Sequence, residues 1–174
     1  MFVHKLVLYH IFNSFLDGRD QGEWFVKADD DTYMFIENLK HMLQSYNSNK
    51  PWYFGSKIKP REGLHQGYMS GGAGYVLSKK ALEEFVTKGI NDKTGKICHH
   101  NSKGSEDIEL GRCMENLGIL PGDTRDAFGK GRFFPLAPEK HLNFGLMDKQ
   151  SKWYRKNRFY DFSEVLIYLQ AILV

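Results

Sequence analysis

Three adjacent carboxylates, Asp29-Asp30-Asp31, stand just beyond the apolar run Trp24-Phe25-Val26. Neighbouring acids repel one another, and a divalent cation is an economical way to neutralise them. The apolar run reads as a short buried strand. If the chain stays extended through the acids, Asp29 and Asp31 point to one side and Asp30 to the other. Such a pair offers oxygens to a hard metal and leaves other coordination positions to a phosphate-bearing ligand. Taken alone, the triplet favours a plainer reading, a solvated turn whose last acid caps the next helix.

A second acidic pair, Glu106-Asp107, follows Ser105, which has the chemistry of a helix N-cap. Leu110, Cys113, Met114 and Leu117 form an inward helical stripe that runs back through Glu106 and Asp107. Acids on the inward face of a first turn are unusual, and the helix dipole favours negative charge there. The structural alternative is N-terminal capping by acids. Between the two acidic clusters lies Gln66-Gly67-Tyr68-Met69-Ser70-Gly71-Gly72-Ala73-Gly74-Tyr75-Val76-Leu77-Ser78, a glycine-rich loop entering a strand. Clustered glycines mean strained turns or backbone that something approaches closely. The spacing is neither that of a phosphate loop nor that of a dinucleotide fingerprint. Tyr68 stands where a nucleophile elbow needs glycine.

The elements that must position these residues follow from periodicity. Helical spacing occurs over 2–16, and a turn over 17–22 leads to the acidic strand. A helix is expected over 34–46, with Phe35, Leu39, Met42, Leu43 and Tyr46 on its apolar face. Residues 52–55 read as a strand, and 79–88 as a helix with Leu82, Phe85 and Val86 inward. The helix that starts after Ser105 closes at Gly118. Residues 119–144 are turn-rich; within them Glu139-Lys140-His141-Leu142 is a candidate functional loop whose plainer reading is an exposed polar turn. The order of strands and helices is that of an α/β layered domain.

Composition excludes several classes. The chain has 174 residues, 41% hydrophobic and 26% charged, the profile of an ordinary soluble domain. A net charge of +3 does not argue for nucleic acid. Aromatic residues at 14% suit stacking on sugars as well as core packing. The aromatic pair Trp153-Tyr154 among Lys152, Arg155, Lys156 and Arg158 is too small a cluster to read as an RNA site. No stretch approaches the ~20 apolar residues of a membrane span, and the apolar end, 165–174, is too short for one. Residues 5–12 imitate a signal peptide, but His10 interrupts them and no small-residue cleavage site follows. Cys98 and Cys113 permit one disulfide without deciding the redox compartment. Cys98-His99-His100 lacks zinc-site spacing. A calcium loop started at Asp29 puts Met34 at the turn glycine and Lys40 at the final glutamate.

Together, Trp24-Phe25-Val26-Lys27-Ala28-Asp29-Asp30-Asp31-Thr32-Tyr33, the segment Gly67 through Ser78, and Glu106-Asp107-Ile108-Glu109-Leu110-Gly111-Arg112-Cys113 resemble the core 1 β1,3-galactosyltransferases. These are also called glycoprotein-N-acetylgalactosamine 3-β-galactosyltransferases. Pro121-Gly122-Asp123-Thr124-Arg125-Asp126 and Pro138-Glu139-Lys140-His141-Leu142 continue the likeness, which covers about residues 5–155 in one register. The resemblance implies a GT-A-type α/β fold and inverting transfer of galactose from UDP-galactose to the 3-hydroxyl of N-acetylgalactosamine on serine or threonine. It further implies Mn2+, a membrane-anchored protein facing the Golgi lumen, a UDP-sugar donor, an O-GalNAc glycoprotein acceptor and no nucleic-acid partner, and it allows a homodimer. By the same likeness Asp107 is the general base, Asp29 and Asp31 hold the metal, and Asp29, Asp30, Gly71, Gly72 and Glu106 line the donor site. Trp153 and Tyr154 meet the acceptor sugar, and Cys98 and Cys113 pair as a disulfide in an oxidising lumen.

Two departures shape the expectation. The family has a longer chain before this start, with the membrane anchor and the first half of the nucleotide-binding sheet. It also continues past the Trp153-Tyr154 position to a histidine that completes the metal site, whereas no histidine follows His141 here. The expected organisation is therefore a partial GT-A-type domain over 1–154 and a divergent tail over 155–174. An inactive carbohydrate- or partner-binding remnant is the alternative to an active transferase. A missing half-sheet would also leave an open strand edge.

Overall fold

The structure is a computed structural model that describes residues 22–99, 104–142 and 149–160, together with Ser14. The expected helix over 2–16, apart from Ser14, and the apolar end lie outside the described residues. A mixed four-stranded sheet forms the centre. Numbered in chain order, β1 (Trp24–Lys27) and β2 (Trp52–Gly55) both pair antiparallel with β5 (Tyr75–Ser78), and β2 runs parallel to β6 (Leu120–Pro121), giving the order β1-β5-β2-β6. A separate ribbon joins β3 (Lys57–Ile58) to β4 (Tyr68–Met69). The helices are α1 (Ile36–Leu43), α2 (Lys79–Glu84), α3 (Glu106–Asn116), α4 (Pro138–Leu142) and α5 (Lys149–Asn157). A π-helical segment, Phe85–Ile90, continues α2.

Alternation along the strands divides the core in two. Tyr53, Tyr75 and Leu77 face α2 and α3, joining Leu82, Phe85, Leu110 and Met114. Phe54 and Val76 face the other way, onto Met42 and Leu43 of α1. A sheet buried on both faces needs continuous apolar strands, which is why β2 and β5 read Trp-Tyr-Phe-Gly and Tyr-Val-Leu-Ser. β1 differs from the buried strand expected of it. Among the described strands it lies at the sheet edge, and Val26 is 40% exposed.

Three local expectations need correction. The chain does not remain extended through the acids: the Thr32 N–H donates to the Asp29 carbonyl at 3.1 Å, and the Thr32 hydroxyl accepts from the Asp29 N–H at 3.0 Å. This turn cancels the simple alternation of Asp29, Asp30 and Asp31. Asp31 does not cap α1, whose N-cap position is Phe35, with Phe35 and Ile36 exposed. Ser105 occupies the N-cap position of α3 with extended backbone, but its side chain makes no capping bond. The other end of α3 is as expected: Gly118 has φ 71°, and the Ile119 N–H returns to the Met114 carbonyl at 2.9 Å.

The division expected at 154 falls inside α5. Beyond it, the Lys59 N–H donates to the Asn157 carbonyl at 2.7 Å and the Phe159 N–H to the Lys57 carbonyl at 2.9 Å, so residues 155–160 are tied to the β3–β4 ribbon. Among the described residues no helix is long and apolar enough to cross a membrane.

Candidate active site

The glycine loop lies between the end of β1, which leads into the acidic turn, and the first turn of α3. Gly74 has φ 68°, and a Cβ there would lie 2.7 Å from the Lys27 carbonyl, so the end of β1 presses on the loop. A Cβ on Gly72 would lie 2.7 Å from the Pro135 carbonyl. From the third side α3 arrives with its first turn: the Gly71 N–H donates to Asp107 Oδ2 at 3.0 Å, and the Ile108 N–H to Asp107 Oδ1 at 2.9 Å. Gly71 is sterically different from its neighbour. A Cβ on it would sit in ordinary contact, 3.5 Å from Asp107 Cβ and from Glu106 Oε2. The protein around Gly71 thus accommodates a methyl group, which would pack against Asp107 and Glu106.

A chain of polar contacts joins the acidic turn to that helix. Lys27 and Tyr75 are cross-strand partners, and the Lys27 ammonium lies 5.8 Å from the Tyr75 ring centre. The same ammonium pairs with Asp29 Oδ1 at 2.7 Å. The buried Tyr75 hydroxyl donates to Glu106 Oε1 at 2.6 Å. Burial, reinforced by the Glu106 carboxylate, pushes the Tyr75 hydroxyl well above the usual phenol range, so it remains a donor. Asp29, Lys27, Tyr75 and Glu106 therefore form one path from the turn to the α3 N-terminus. Sequence alone does not mark Lys27 and Tyr75 as site residues. Their signal was the strand register, which is invisible until β1 and β5 are paired.

Asp29, Asp30 and Asp31 are all exposed on the turn. Their carboxylate oxygens have the hardness that Mn2+ accepts. Among the described residues, however, no group of three His, Cys, Asp or Glu side chains converges to hold a metal ion. The turn suits a divalent cation in chemistry, and the described residues do not complete its coordination.

Trp153 and Tyr154 separate. Trp153 is 43% exposed, whereas Tyr154 is a core residue packed with Ile58, Leu64 and Tyr68, with Ile108 beside them. Helical periodicity is the reason, since α5 turns its Ser151 and Tyr154 face inward. Tyr154 is therefore not available to stack on a sugar. Nor is Pro138–Leu142 an exposed turn around His141: that imidazole is buried, edge-on to Phe134 and Tyr154, with Nε2 accepting from the Leu136 N–H at 3.2 Å. Cys98 and Cys113 are bonded to each other, with Cα atoms 4.7 Å apart. Gly89, in the π-helical segment, faces this bridge; a Cβ there would lie 2.6 Å from Cys98 Sγ.

This sheet, its glycine loop and its flanking helices make a mixed α/β domain, consistent with a partial domain of the GT-A type. The chain belongs to the Fringe-like family, which it matches over residues 4–126. Glycoprotein-N-acetylgalactosamine 3-beta-galactosyltransferase 1 of Xenopus laevis is 46% identical over 135 residues, covering 78% of this chain and 36% of that protein. Chondroitin sulfate synthase 3 of Mus musculus is 33% identical over 107 residues, 57% of this chain and 12% of that protein. Beta-1,3-glucosyltransferase of Homo sapiens is 32% identical over 115 residues, 64% of this chain and 21% of that protein. The chain thus spans at most 36% of the length of these three relatives.

Proposed function

We propose that the chain carries the catalytic face of a β1,3-galactosyltransferase that moves galactose, with inversion, from UDP-galactose to the 3-hydroxyl of N-acetylgalactosamine on serine or threonine. The observation that carries this reading is the glycine loop held between the end of β1, just before the acidic turn, and the first turn of α3, with Asp107 fastened to Gly71 at 3.0 Å. Asp107 accepts the proton of the attacking hydroxyl as that oxygen bonds to the anomeric carbon and the bond to the diphosphate breaks. Each Asp107 oxygen takes one backbone N–H, which fixes the carboxylate while leaving lone pairs for the substrate. Asp29 and Asp31 would hold Mn2+, which supplies Lewis-acid neutralisation of the departing diphosphate. Asp30, Glu106, Gly71 and Gly72 border the donor sugar, and the exposed Trp153 indole offers a face to the acceptor sugar. The relatives' names support the sugar-transfer chemistry, and the Cys98–Cys113 bridge suits the lumen of the Golgi, where we place the membrane-anchored protein.

Purified chain incubated with Mn2+, labelled UDP-galactose and an O-GalNAc threonine peptide tests the proposal. The expected result is galactosylated peptide, abolished in Asp107→Asn while UDP binding persists. Binding of UDP or Mn2+ without transfer by the unaltered chain would favour a non-catalytic binding remnant instead.

A further inference from the structure

Two basic segments far apart in sequence come together beside this site. Residues 57–62 carry Lys57, Lys59 and Arg61 against one acid, Glu62, and residues 149–158 carry five cations and no acid. The backbone joins them through the Lys59 N–H to the Asn157 carbonyl, and Lys59 Nζ donates to the Lys156 carbonyl at 3.2 Å. On α5, Lys149, Lys152, Trp153 and Lys156 follow helical spacing and are all exposed, forming one outward stripe. Among the described residues, none of the ion pairs includes Lys59, Arg61, Lys149, Lys152 or Lys156. Like charges held together repel, and an anionic partner would relieve that cost.

Position narrows the partner. Tyr154, next to Trp153, packs with Tyr68, and Ile108 packs beside them, next to Asp107, so α5 is fastened to the elements that surround the acid pair. A polypeptide leaving the acid pair over α5 meets one aromatic face and then a row of ammonium groups. Trp153 and the partly exposed Phe159 are too few stacking faces, and a whole-chain charge of +3 too small, for a nucleic-acid groove, and an outward α5 stripe with one apolar residue is too polar to bury in a membrane interface. We propose that the surface formed by Lys59, Arg61, Lys149, Lys152, Trp153 and Lys156 docks an acidic stretch of the acceptor polypeptide flanking the glycosylated residue. This rests on the reading that the site takes a glycoprotein acceptor.

Fluorescence anisotropy with O-GalNAc threonine peptides, flanked by aspartates or by neutral residues, tests it on the purified chain. The acidic glycopeptide should bind about tenfold more tightly than the neutral one at low salt, and the advantage should vanish at high salt. Combining Lys59→Glu, Lys152→Glu and Lys156→Glu should abolish the advantage, and Lys93→Glu, an exposed site elsewhere, should not. If the combined variant does not fold by circular dichroism, Lys156→Gln alone should still reduce the advantage. An unglycosylated acidic peptide separates the two readings. Binding it as tightly as the glycopeptide supports the basic surface while counting against the acceptor-sugar site. Neutral and acidic glycopeptides bound equally would overturn the surface and leave the site intact. An oligonucleotide or phosphatidylserine vesicle bound more tightly than the acidic peptide, with loss in the combined variant, would also overturn it.

Discussion

Lowering the pH should destabilise this domain through one residue in particular, His141. Its side chain is 7% exposed, and burial lowers its pKa from the ordinary 6.5 to about 4, with nearby Arg155 and Arg158 adding to the effect. Nε2 acts as an acceptor from the Leu136 N–H, a role open only to the neutral ring. The unfolded chain therefore takes up this proton before the folded one does. The stability that neutral His141 provides is complete above pH 6.5 and is lost as pH falls towards 4. Between pH 7 and pH 5 the loss should be about 2 kcal/mol, rising to about 3 kcal/mol at pH 4. Urea denaturation at half-unit intervals measures it, and His141→Phe isolates it from carboxylates that titrate over the same range. The variant keeps a ring against Phe134 and Tyr154 but leaves the Leu136 N–H unsatisfied, a constant cost of about 1–3 kcal/mol at every pH. The two stability curves should consequently converge as pH falls. Curves that stay parallel from pH 7 to pH 5 would refute the assignment of a buried neutral imidazole.

Other perturbations separate fold from site. Gly72→Ala should cost about 1–3 kcal/mol in denaturant melts, because its Cβ would lie 2.7 Å from a backbone carbonyl. Gly71→Ala should melt within about 1 kcal/mol of the parent yet suppress transfer, since its methyl fits the protein but occupies space before Glu106 and Asp107. Equal melting losses at both positions would contradict the distinction. Replacing Cys98 and Cys113 by alanine opens a bridge of sequence separation 15 and should cost about 3 kcal/mol, read as a lower urea midpoint. Tyr75→Phe deletes the 2.6 Å bond to Glu106 and should cost about 1.5–3 kcal/mol; an unchanged midpoint would show that this bond does not stabilise the fold.

Periodicity carried much of the fold because the packing follows it. Leu82, Phe85 and Val86 are buried on the α2 side, and Leu110, Cys113 and Met114 on the inward face of α3, as their spacing requires. Residues 52–55 form a strand whose two faces are both covered. What periodicity cannot convey is where an apolar segment stops being covered. Phe35 lies on the helical stripe drawn through α1, but it is 41% exposed at the N-cap, since the Asp29–Thr32 turn and the residues after it delay helix onset to Ile36. Tyr154 escaped in the opposite way. Its sequence neighbours are cationic, and only the helical phase of α5 reveals that it points inward while Trp153 points out.

The site was legible as acids and glycines, and illegible as the contacts that join them. Asp29, Gly71 and Glu106-Asp107 are local signals, each visible within a few residues. The links between them are non-local: Lys27 faces Tyr75 only because β1 and β5 run antiparallel in one register. Shifting that register by a single residue would send Lys27 to the opposite face of the sheet, away from Tyr75 and the α3 acids. Gly74 helps to hold the register in place, because the Lys27 carbonyl occupies the space a side chain there would need. The glycine loop thus has two functions that composition alone merges. Gly72 and Gly74 let three backbones close on one another, and Gly71 supplies the N–H that fixes the Asp107 carboxylate.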